Sequence, residues 1–245
     1  MGEDVSVSAR TITKQLDSVV VPEKVHRPRP VTVVMDVTFF GREYGVLVAR
    51  DPNEHENLHV HELRHENKLE YQAARTDLEK KGYVLQAVVL DGRKGIPSVF
   101  KDIPIQICQF HQWKIVRKYL TLRPKLESHK ALLKVAGQIA KSTESAMRAM
   151  LEQFALDFKH DIEEHVVCSC CNKKKYVHRK LRSAYRSLTT NLPFLYTCQK
   201  YPDLKIPNTT NSADGTFSQL KSHVNVHRGL RFDRRFKVIR AYLKL

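Results

Sequence analysis

The 245-residue sequence has no apolar run approaching the ~18 residues that a membrane-spanning helix needs. It begins Met1-Gly2-Glu3-Asp4-Val5-Ser6, which lacks the basic and then apolar order of a secretory signal. Its five cysteines are few and odd in number, as is typical of a reducing compartment. These absences predict a cytoplasmic protein with no membrane partner.

Acidic residues are scarce in two stretches of the chain, although the sequence as a whole contains 26 of them. Residues 111–141 hold eight Lys and Arg against one acid, and residues 216–245 hold the same numbers. These two stretches carry most of the net charge of +16. Clustered positive charge predicts a polyanionic partner, most simply nucleic acid. The alternative is a basic protein that is merely soluble, but solubility does not require concentrated charge.

Two apolar segments each run into an aspartate. Residues 83–90 are almost wholly apolar and precede Asp91-Gly92, which predicts a strand buried on both faces and then a turn. Residues 31–35 predict a second buried strand, which ends at Asp36. The order of predicted elements is three strands, a helix, two strands and then helices, which favours an α/β sheet layered with helices. The two acids are therefore expected at one sheet edge, where sites in such folds lie.

A buried carboxylate is costly unless it is paired or binds a metal. Asp36 and Asp91 fit phosphoryl transfer on nucleic acid, in which two divalent ions clamp the attacking and leaving oxygens. The structural alternative is that each aspartate merely begins a turn. A third ligand could be Asp214, three residues after Asn211. That pair also fits a helix start with a capping residue and a first-turn acid, so both roles stay open from the residues alone.

Four motifs, in order, resemble those of the Mutator-type (MULE-like) insertion-sequence transposases of bacteria. They are Val34-Met35-Asp36, Val89-Leu90-Asp91-Gly92, the Cys-x-x-His of Cys108 and His111, and residues 208–221 followed by His227-Arg228-Gly229-Leu230. The resemblance covers about residues 30–245. It implies that Asp36, Asp91 and Asp214 are the catalytic, metal-binding acids. It also marks Cys108, His111, Asn211 and Gly215 as family motif residues.

This resemblance implies an RNase H-like mixed sheet flanked by helices, with an all-helical insertion before the last catalytic helix. Residues 1–30 would be a linker or a remnant of an N-terminal region, 31–121 the first part of the core, 122–207 the insertion and 208–245 its C-terminal helical part. The implied activity is DNA cleavage and strand transfer at insertion-sequence ends with two Mg²⁺ (or Mn²⁺) ions. The implied partner is double-stranded DNA, both transposon ends and target, bound by a homo-oligomer in the bacterial nucleoid.

The sequence departs from the family at two points. Asp214 stands where the family normally has Glu, whose side chain is one methylene longer. The family usually carries an N-terminal DNA-binding region, for which residues 1–30 are too few. Two alternatives therefore accompany the transposase hypothesis. One is a catalytically impaired or truncated transposase that only binds DNA, and the other is an RNase H-like metal-dependent nuclease.

Basic side chains near these motifs are candidates for phosphate contacts, which position DNA without reading its sequence. The predicted set is Lys114, Arg117, Lys118, Lys221, His227, Arg228, Arg231, Arg234 and Arg235. Trp113, the only tryptophan, could stack on an unpaired base or belong to the core.

Other cysteines and histidines have spacings that could suggest metal. Cys108 and His111 are too few for a tetrahedral zinc site, so we expect them to have a structural or DNA-positioning role and expect no zinc. Cys168, Cys170 and Cys171 lack the usual Cys-x₂-Cys spacing and are interpreted as free thiols. The four histidines between positions 55 and 65 are interpreted as surface residues without converging partners.

Overall fold

The computed structural model describes residues 8–42, 44–170, 172–226 and 230–244. Within them the chain forms these elements in order: α1 (Ala9–Ser18), β1 (Pro30–Phe39), β2 (Gly45–Asp51), β3 (Glu56–Leu63), α2 (Lys68–Lys80), β4 (Val84–Leu90), β5 (Ile105–Ile107), α3 (Gln109–Leu120), α4 (Glu127–Ala136), α5 (Glu144–Asp157), α6 (Lys159–Glu163), β6 (His165–Val167), β7 (Lys174–Tyr176), α7 (Arg179–Leu195), α8 (Thr197–Lys200), α9 (Asn211–Val226) and α10 (Phe232–Leu243).

The main sheet has five strands in the order β3-β2-β1-β4-β5. Strands β1, β2 and β3 pair antiparallel, whereas β4 pairs parallel with both β1 and β5. Helices flank both faces, which confirms the predicted α/β class with a mixed sheet. Strand β1 lies at the centre, and seven of its ten residues are buried, four of them Val or Met, as expected where both faces are covered.

Side chains alternate along the strands, so each face of the sheet packs against different helices. Val33 and Met35 of β1 belong to a core that includes Tyr71 and Leu78 of α2. Val34 belongs to the core on the other face, which includes Phe217 of α9 and residues of α10. Because side chains alternate along a strand, Asp36 follows Val34 onto the face covered by α9 and α10.

Strand β1 is longer than predicted. It continues to Phe39, so Asp36 lies inside the strand and does not end it. The reason is its antiparallel partner, since the β1–β2 ladder extends from Val34–Arg50 to Phe39–Gly45. Pairing with β2 therefore keeps residues 37–39 extended where an acid was expected to stop the strand.

The region predicted as an all-helical insertion, residues 122–207, contains α4 to α8, and α4 to α7 share an apolar core with α3 and with Ile107 of β5. It also contains the short antiparallel β6–β7 hairpin, which that expectation does not include. Residues 165–167 are all exposed, so the hairpin lacks the apolar alternation that predicts a strand. Within the described residues, no helix combines the length and apolar character needed to span a bilayer.

Buried glutamines attach the helical region to the edge of the main sheet. Gln106 of β5 donates its side-chain amide to Leu195 O at 2.8 Å and accepts from Cys198 N at 2.9 Å. Gln109 donates to the same Leu195 carbonyl at 2.8 Å. These bonds join the C-terminal end of α7 and the start of α8 to the edge strand, so that edge is covered by protein.

Helix α1 lies within residues 1–30, the segment predicted as a linker. Ser8 caps its N-terminus by accepting a hydrogen bond from Thr11 N. Asp17, near its C-terminal end, forms an ion pair with Arg234 of α10 at 2.7 Å. This contact joins the start of the described chain to its last helix.

Candidate catalytic site

The register of the central strands brings Asp36 and Asp91 to neighbouring positions. The last residue pair in the β1–β4 ladder is Val34 with Val89. Two residues further along each parallel strand lie Asp36 and Asp91. Asp36 is 7% exposed and Asp91 is half-buried at the end of β4. The two acids that the sequence singled out are therefore placed on adjacent strands at one end of the main sheet.

The backbone around each aspartate holds its carboxylate in place. Asp36 Oδ1 accepts from Val37 N at 2.8 Å, and Asp91 Oδ1 accepts from Arg93 N at 3.0 Å. The second bond closes a turn in which Gly92 has a φ of +83°. A Cβ at Gly92 would lie 2.9 Å from Ile107 Cγ2, so the turn needs glycine for its backbone and for space.

A third carboxylate near Asp91 was not predicted from the sequence. Glu66 precedes α2, its side chain is 8% exposed, and it forms an ion pair with Arg93 at 2.6 Å. Burial, together with the negative charge of Asp91, raises the pKa of Glu66 above its usual value. Glu66 lies in the short polar loop between β3 and α2, outside the motifs, so no sequence pattern distinguishes it from a surface glutamate.

The hydroxyl of Tyr71 is buried, and the negative charges of all three acids affect its pKa. Tyr71 donates to Glu66 Oε1 at 2.9 Å. Its pKa lies well above the usual value because of burial, and the negative charges of Glu66, Asp91 and Asp36 raise it further. Three carboxylates from β1, from the end of β4 and from the loop before α2 therefore lie close enough to act on one phenol.

A cavity of about 360 Å³ opens beside Asp36. Among its lining residues are His111 and Lys114 from α3 and Asn211 and Lys221 from α9. Two helices thus bring cationic and hydrogen-bonding side chains to the same space as a buried carboxylate. Such a space suits an anion that approaches a cation held at Asp36.

The Cys-x-x-His motif holds the segment that leads into α9. Thr210 donates to Cys108 Sγ through its backbone N–H at 3.3 Å and its hydroxyl at 3.5 Å. His111 Nδ1 lies 3.3 Å from the same hydroxyl. Burial alone would raise the pKa of Cys108, but the hydrogen bonds from His111 and Thr210 lower it overall. Asn208 adds backbone and side-chain bonds to Gln109, at 2.9 and 3.1 Å.

Helix α9 begins at Asn211, so the backbone of Asp214 lies in its first turn. Ala213 and Phe217, on either side of it in sequence, are buried against the main sheet. The side chain of Asp214 lies outside the described part of the structure. Gly215 is exposed within α9. His227 and Arg228, two predicted DNA contacts, also lie outside the described residues.

The other predicted phosphate contacts fall into separate places. Lys114 and Lys221 line the cavity at Asp36, and Lys118 is exposed further along α3. Arg231 and Arg235 line a different depression with Tyr44. Arg234 pairs with Asp17, which offsets its charge.

The aromatic residues of α3 form a stack that also holds two of its cations. Trp113 is half-buried, packs against the helical core and stacks on Phe110 with ring centroids 5.9 Å apart. Arg117 lies over the Trp113 ring and Lys114 over Phe110, each 4.2 Å from the ring centroid. These contacts support the core alternative for Trp113.

The histidines of β3 have partners, contrary to the interpretation from the sequence. His59 Nδ1 lies 2.5 Å from Asp77 Oδ2, and His59 Nε2 lies 2.8 Å from His61 Nδ1. His61 Nε2 lies 3.0 Å from Glu70 Oε2. Burial lowers the pKa of His59 to about 4, against the opposing charge of Asp77. The chain of four side chains joins the edge strand to α2.

Cys168 and Cys170 lie at the end of the β6–β7 hairpin with their Sγ atoms 2.8 Å apart. Cys171 lies outside the described residues. Of the residues that the structure describes, no three His, Cys, Asp or Glu side chains form a ready metal-binding group.

The acids at the sheet edge fit a divalent cation by their chemistry. Carboxylate oxygens are the hard ligands that Mg²⁺ and Mn²⁺ prefer. Burial and then the negative charge of Asp91 raise the pKa of Glu66, while Tyr71 and Arg93 act in the opposite direction. Asp36 and Asp91 are the residues that could hold a cation, with Glu66 beside Asp91, although the three side chains as described do not form a ready metal-binding group.

Comparison with models of known protein families gives no match, and none of the curated proteins compared is significantly similar to the chain. Functional assignment therefore depends on the residues and geometry described above.

Proposed function

We propose that the chain is the catalytic domain of a DNA transposase with an RNase H-like fold, which cleaves and joins DNA at insertion-sequence ends. The observation that supports this most strongly is the placement of Asp36 and Asp91 on adjacent parallel strands at one end of a mixed sheet. The strand order, with the acid-bearing strands at its centre, is compatible with that fold.

In this proposal Asp36 and Asp91, joined by Glu66, hold Mg²⁺ or Mn²⁺. Bound there, divalent ions supply the charge that stabilises the attacking and leaving oxygens of a phosphodiester. During cleavage a water oxygen bonds to phosphorus while its proton passes to solvent. The bond from phosphorus to the DNA 3′ oxygen breaks, which leaves a 5′-phosphate, and the 3′ oxygen takes up a proton from solvent to become a hydroxyl. During joining the freed 3′-hydroxyl attacks a phosphodiester of the target in the same way.

The remaining residues of the site bind and position the DNA. Lys114 and Lys221, which line the cavity at Asp36, contact the phosphate next to the one that reacts. Cys108 and His111 hold Thr210 and so fix the start of α9 beside the sheet. Asp214, in the first turn of α9, is the proposed third acid. The DNA partner comprises transposon ends and target, on which the chain acts as a homo-oligomer.

An in vitro cleavage assay tests this function. The full chain is incubated with Mg²⁺ or Mn²⁺ and duplexes drawn from the DNA that flanks its coding region, and nicked and joined products are separated by electrophoresis. We expect both products from the wild-type protein. We expect neither from Asp36→Asn or Asp91→Asn, while Asp203→Asn, an exposed matched control, retains both.

The same assay separates the alternatives. Nicks without joined products would show a metal-dependent nuclease. Binding to the duplex without cleavage would show a DNA-binding protein that has lost its chemistry. Asp214→Glu restores the longer side chain that the transposase family normally has, so a gain in cleavage would support Asp214 as the third acid.

A further inference from the structure

A groove lies beside the edge strand β5, with Ile105 and Ile107 of that strand among its lining residues. It has a volume of about 1050 Å³ and lies between residues 92–104 and helix α7. Small-molecule sites typically occupy ~300–1,000 Å³, so this groove is at the upper limit for a compact ligand. Its open shape suits an elongated one. Apart from Gly92 and Arg93, which adjoin Asp91, none of the residues that line it is assigned to the proposed catalytic site.

The groove is lined by cations and by no acidic residue among those described. The five cations are Arg93, Lys94, Lys101, Arg186 and Lys200. Arg93 pairs with Glu66 and Lys200 with Glu144. For the other three, the described residues provide no ion-pair partner. Such a surface attracts a polyanion, because nothing in the groove itself offsets the charge.

Exposed aromatic rings lie among these cations. Tyr119, Phe194 and Tyr201 line the groove and are 38%, 37% and 45% exposed. Aromatic rings beside cations are the surface on which unpaired nucleic-acid bases stack while the phosphates meet the positive charges. A duplex keeps its bases stacked inside, so it can use the cations of such a groove but not the rings.

The groove is continuous with the candidate catalytic site. Its lining begins at Gly92, the residue after Asp91, and Arg93 connects it to Glu66 through their ion pair. A strand whose phosphodiester lies at the carboxylates therefore has a cationic, aromatic path in which to continue.

We propose that this groove binds a single-stranded segment of nucleic acid adjoining the phosphodiester on which the site acts. The proposal rests on the proposed function and deepens it, since it requires unpaired nucleotides next to the reacting bond. The phosphates contact Lys94, Lys101 and Arg186, and the bases stack on the exposed rings. A peptide of acidic residues alone would meet the same cations but has no flat group to stack on the three rings.

Fluorescence anisotropy with a 12-nucleotide single strand and a 12-base-pair duplex tests the proposal. Binding is measured in EDTA, so that the result does not depend on metal or cleavage. We expect Lys101→Ala/Arg186→Ala to weaken single-strand binding about 10-fold and to reduce the slope of log K against log salt by about 1.4. Tyr201→Leu should weaken it about 10-fold with little change in slope. Lys80→Ala, an exposed cation of α2 outside the groove, is the matched control.

Three results would overturn the proposal: groove variants that bind the single strand as the wild type does, a loss of duplex binding in Tyr201→Leu equal to its loss of single-strand binding, or displacement of the strand by polyglutamate as readily as by unlabelled strand. Circular dichroism of each variant confirms that these exposed substitutions leave the fold intact. If the groove variants behave as expected while the wild-type protein cleaves no DNA, the groove proposal stands and the proposed chemistry fails. If the wild-type protein cleaves DNA but the groove variants bind the single strand as the wild type does, the proposed chemistry stands and the groove proposal fails.

Discussion

Asp36 and Asp91 could be predicted as a pair because each closes or interrupts a strongly apolar run, and such runs place carboxylates where burial is costly. Glu66 could not, because its importance comes from Arg93 and Tyr71, which are 27 and 5 residues away in sequence. The partners of His59 and His61 were missed for the same reason. They come from α2, and alternation within β3 alone does not show them.

Glu66→Gln tests whether Glu66 belongs to the proposed metal site. Without divalent metal, the substitution removes the repulsion from Asp91, so the thermal midpoint should fall little or rise slightly. Saturating Mg²⁺ should raise the midpoint of the wild-type protein, because a ligand of the folded state stabilises it. We expect the Mg²⁺ concentration for half of this effect to increase about 10-fold in Glu66→Gln. Glu54→Gln, at an exposed turn, should match the wild type, and an equal Mg²⁺ response in both variants would remove Glu66 from the site.

The lowered pKa of His59 predicts how the free energy of unfolding changes with pH. Its pKa is about 4 in the folded protein against an ordinary value of 6.5, so the unfolded chain binds a proton first as pH falls. Stability should therefore decrease between about pH 6.5 and pH 4, by on the order of 3 kcal/mol. Urea unfolding across this range should show a smaller decrease for His59→Gln than for the wild type. His65→Gln, an exposed histidine of the following loop, should behave as the wild type. Equal pH slopes in all three proteins would contradict this account.

At the scale of elements, the sequence predicted the order of three strands, a helix and two strands, and it placed β4 closely because that strand has a strong apolar pattern and a glycine turn after it. It ended β1 too early, since the antiparallel ladder with β2 keeps residues 37–39 extended. It also missed the exposed β6–β7 hairpin. The local apolar pattern therefore predicted the elements that bury a face. Pairing with another strand determined the end of β1 and the β6–β7 hairpin.

The Cys-x-x-His motif holds the start of α9, because Thr210, the residue before the helix, forms hydrogen bonds with Cys108. Cys108→Ala removes the acceptor for the backbone N–H and hydroxyl of Thr210. We expect hydrogen exchange of amides 211–220 to accelerate about 10-fold or more, while amides of β1 change little. DNA cleavage should fall because α9 is less well held. Cys198→Ala, a half-buried cysteine in α8, is the control. Unchanged protection of α9 would show that the motif has another role.

Across the whole molecule, the clustered basic stretches were identified from composition, but the fold places their cations at different sites. Lys114 and Lys221 come from different stretches and meet at one cavity. Arg234, from the second stretch, is instead paired with Asp17 of α1. Net charge thus indicated a polyanionic partner, whereas only the fold shows which cations lie at the candidate site.

The salt dependence of duplex binding tests which of these cations contact DNA phosphates. A cation that meets a phosphate of duplex DNA contributes about 1 to the slope of log K against log salt, so its removal should lower the slope by that amount. We expect that change for Lys114→Ala and for Lys221→Ala, and about twice that change for the double variant. Arg234→Ala should change the slope less, because its charge already has a partner. A full reduction of the slope in Arg234→Ala would contradict this assignment.

The central claim is that Asp36 and Asp91 form one divalent-metal site at the end of the main sheet. Electron paramagnetic resonance of Mn²⁺ counts the ions bound per chain without any DNA substrate. We predict saturable binding to the wild-type protein and to Asp203→Asn, and loss of that binding in both Asp36→Asn and Asp91→Asn. Mn²⁺ bound by Asp91→Asn with the affinity and number of the wild type would contradict the claim.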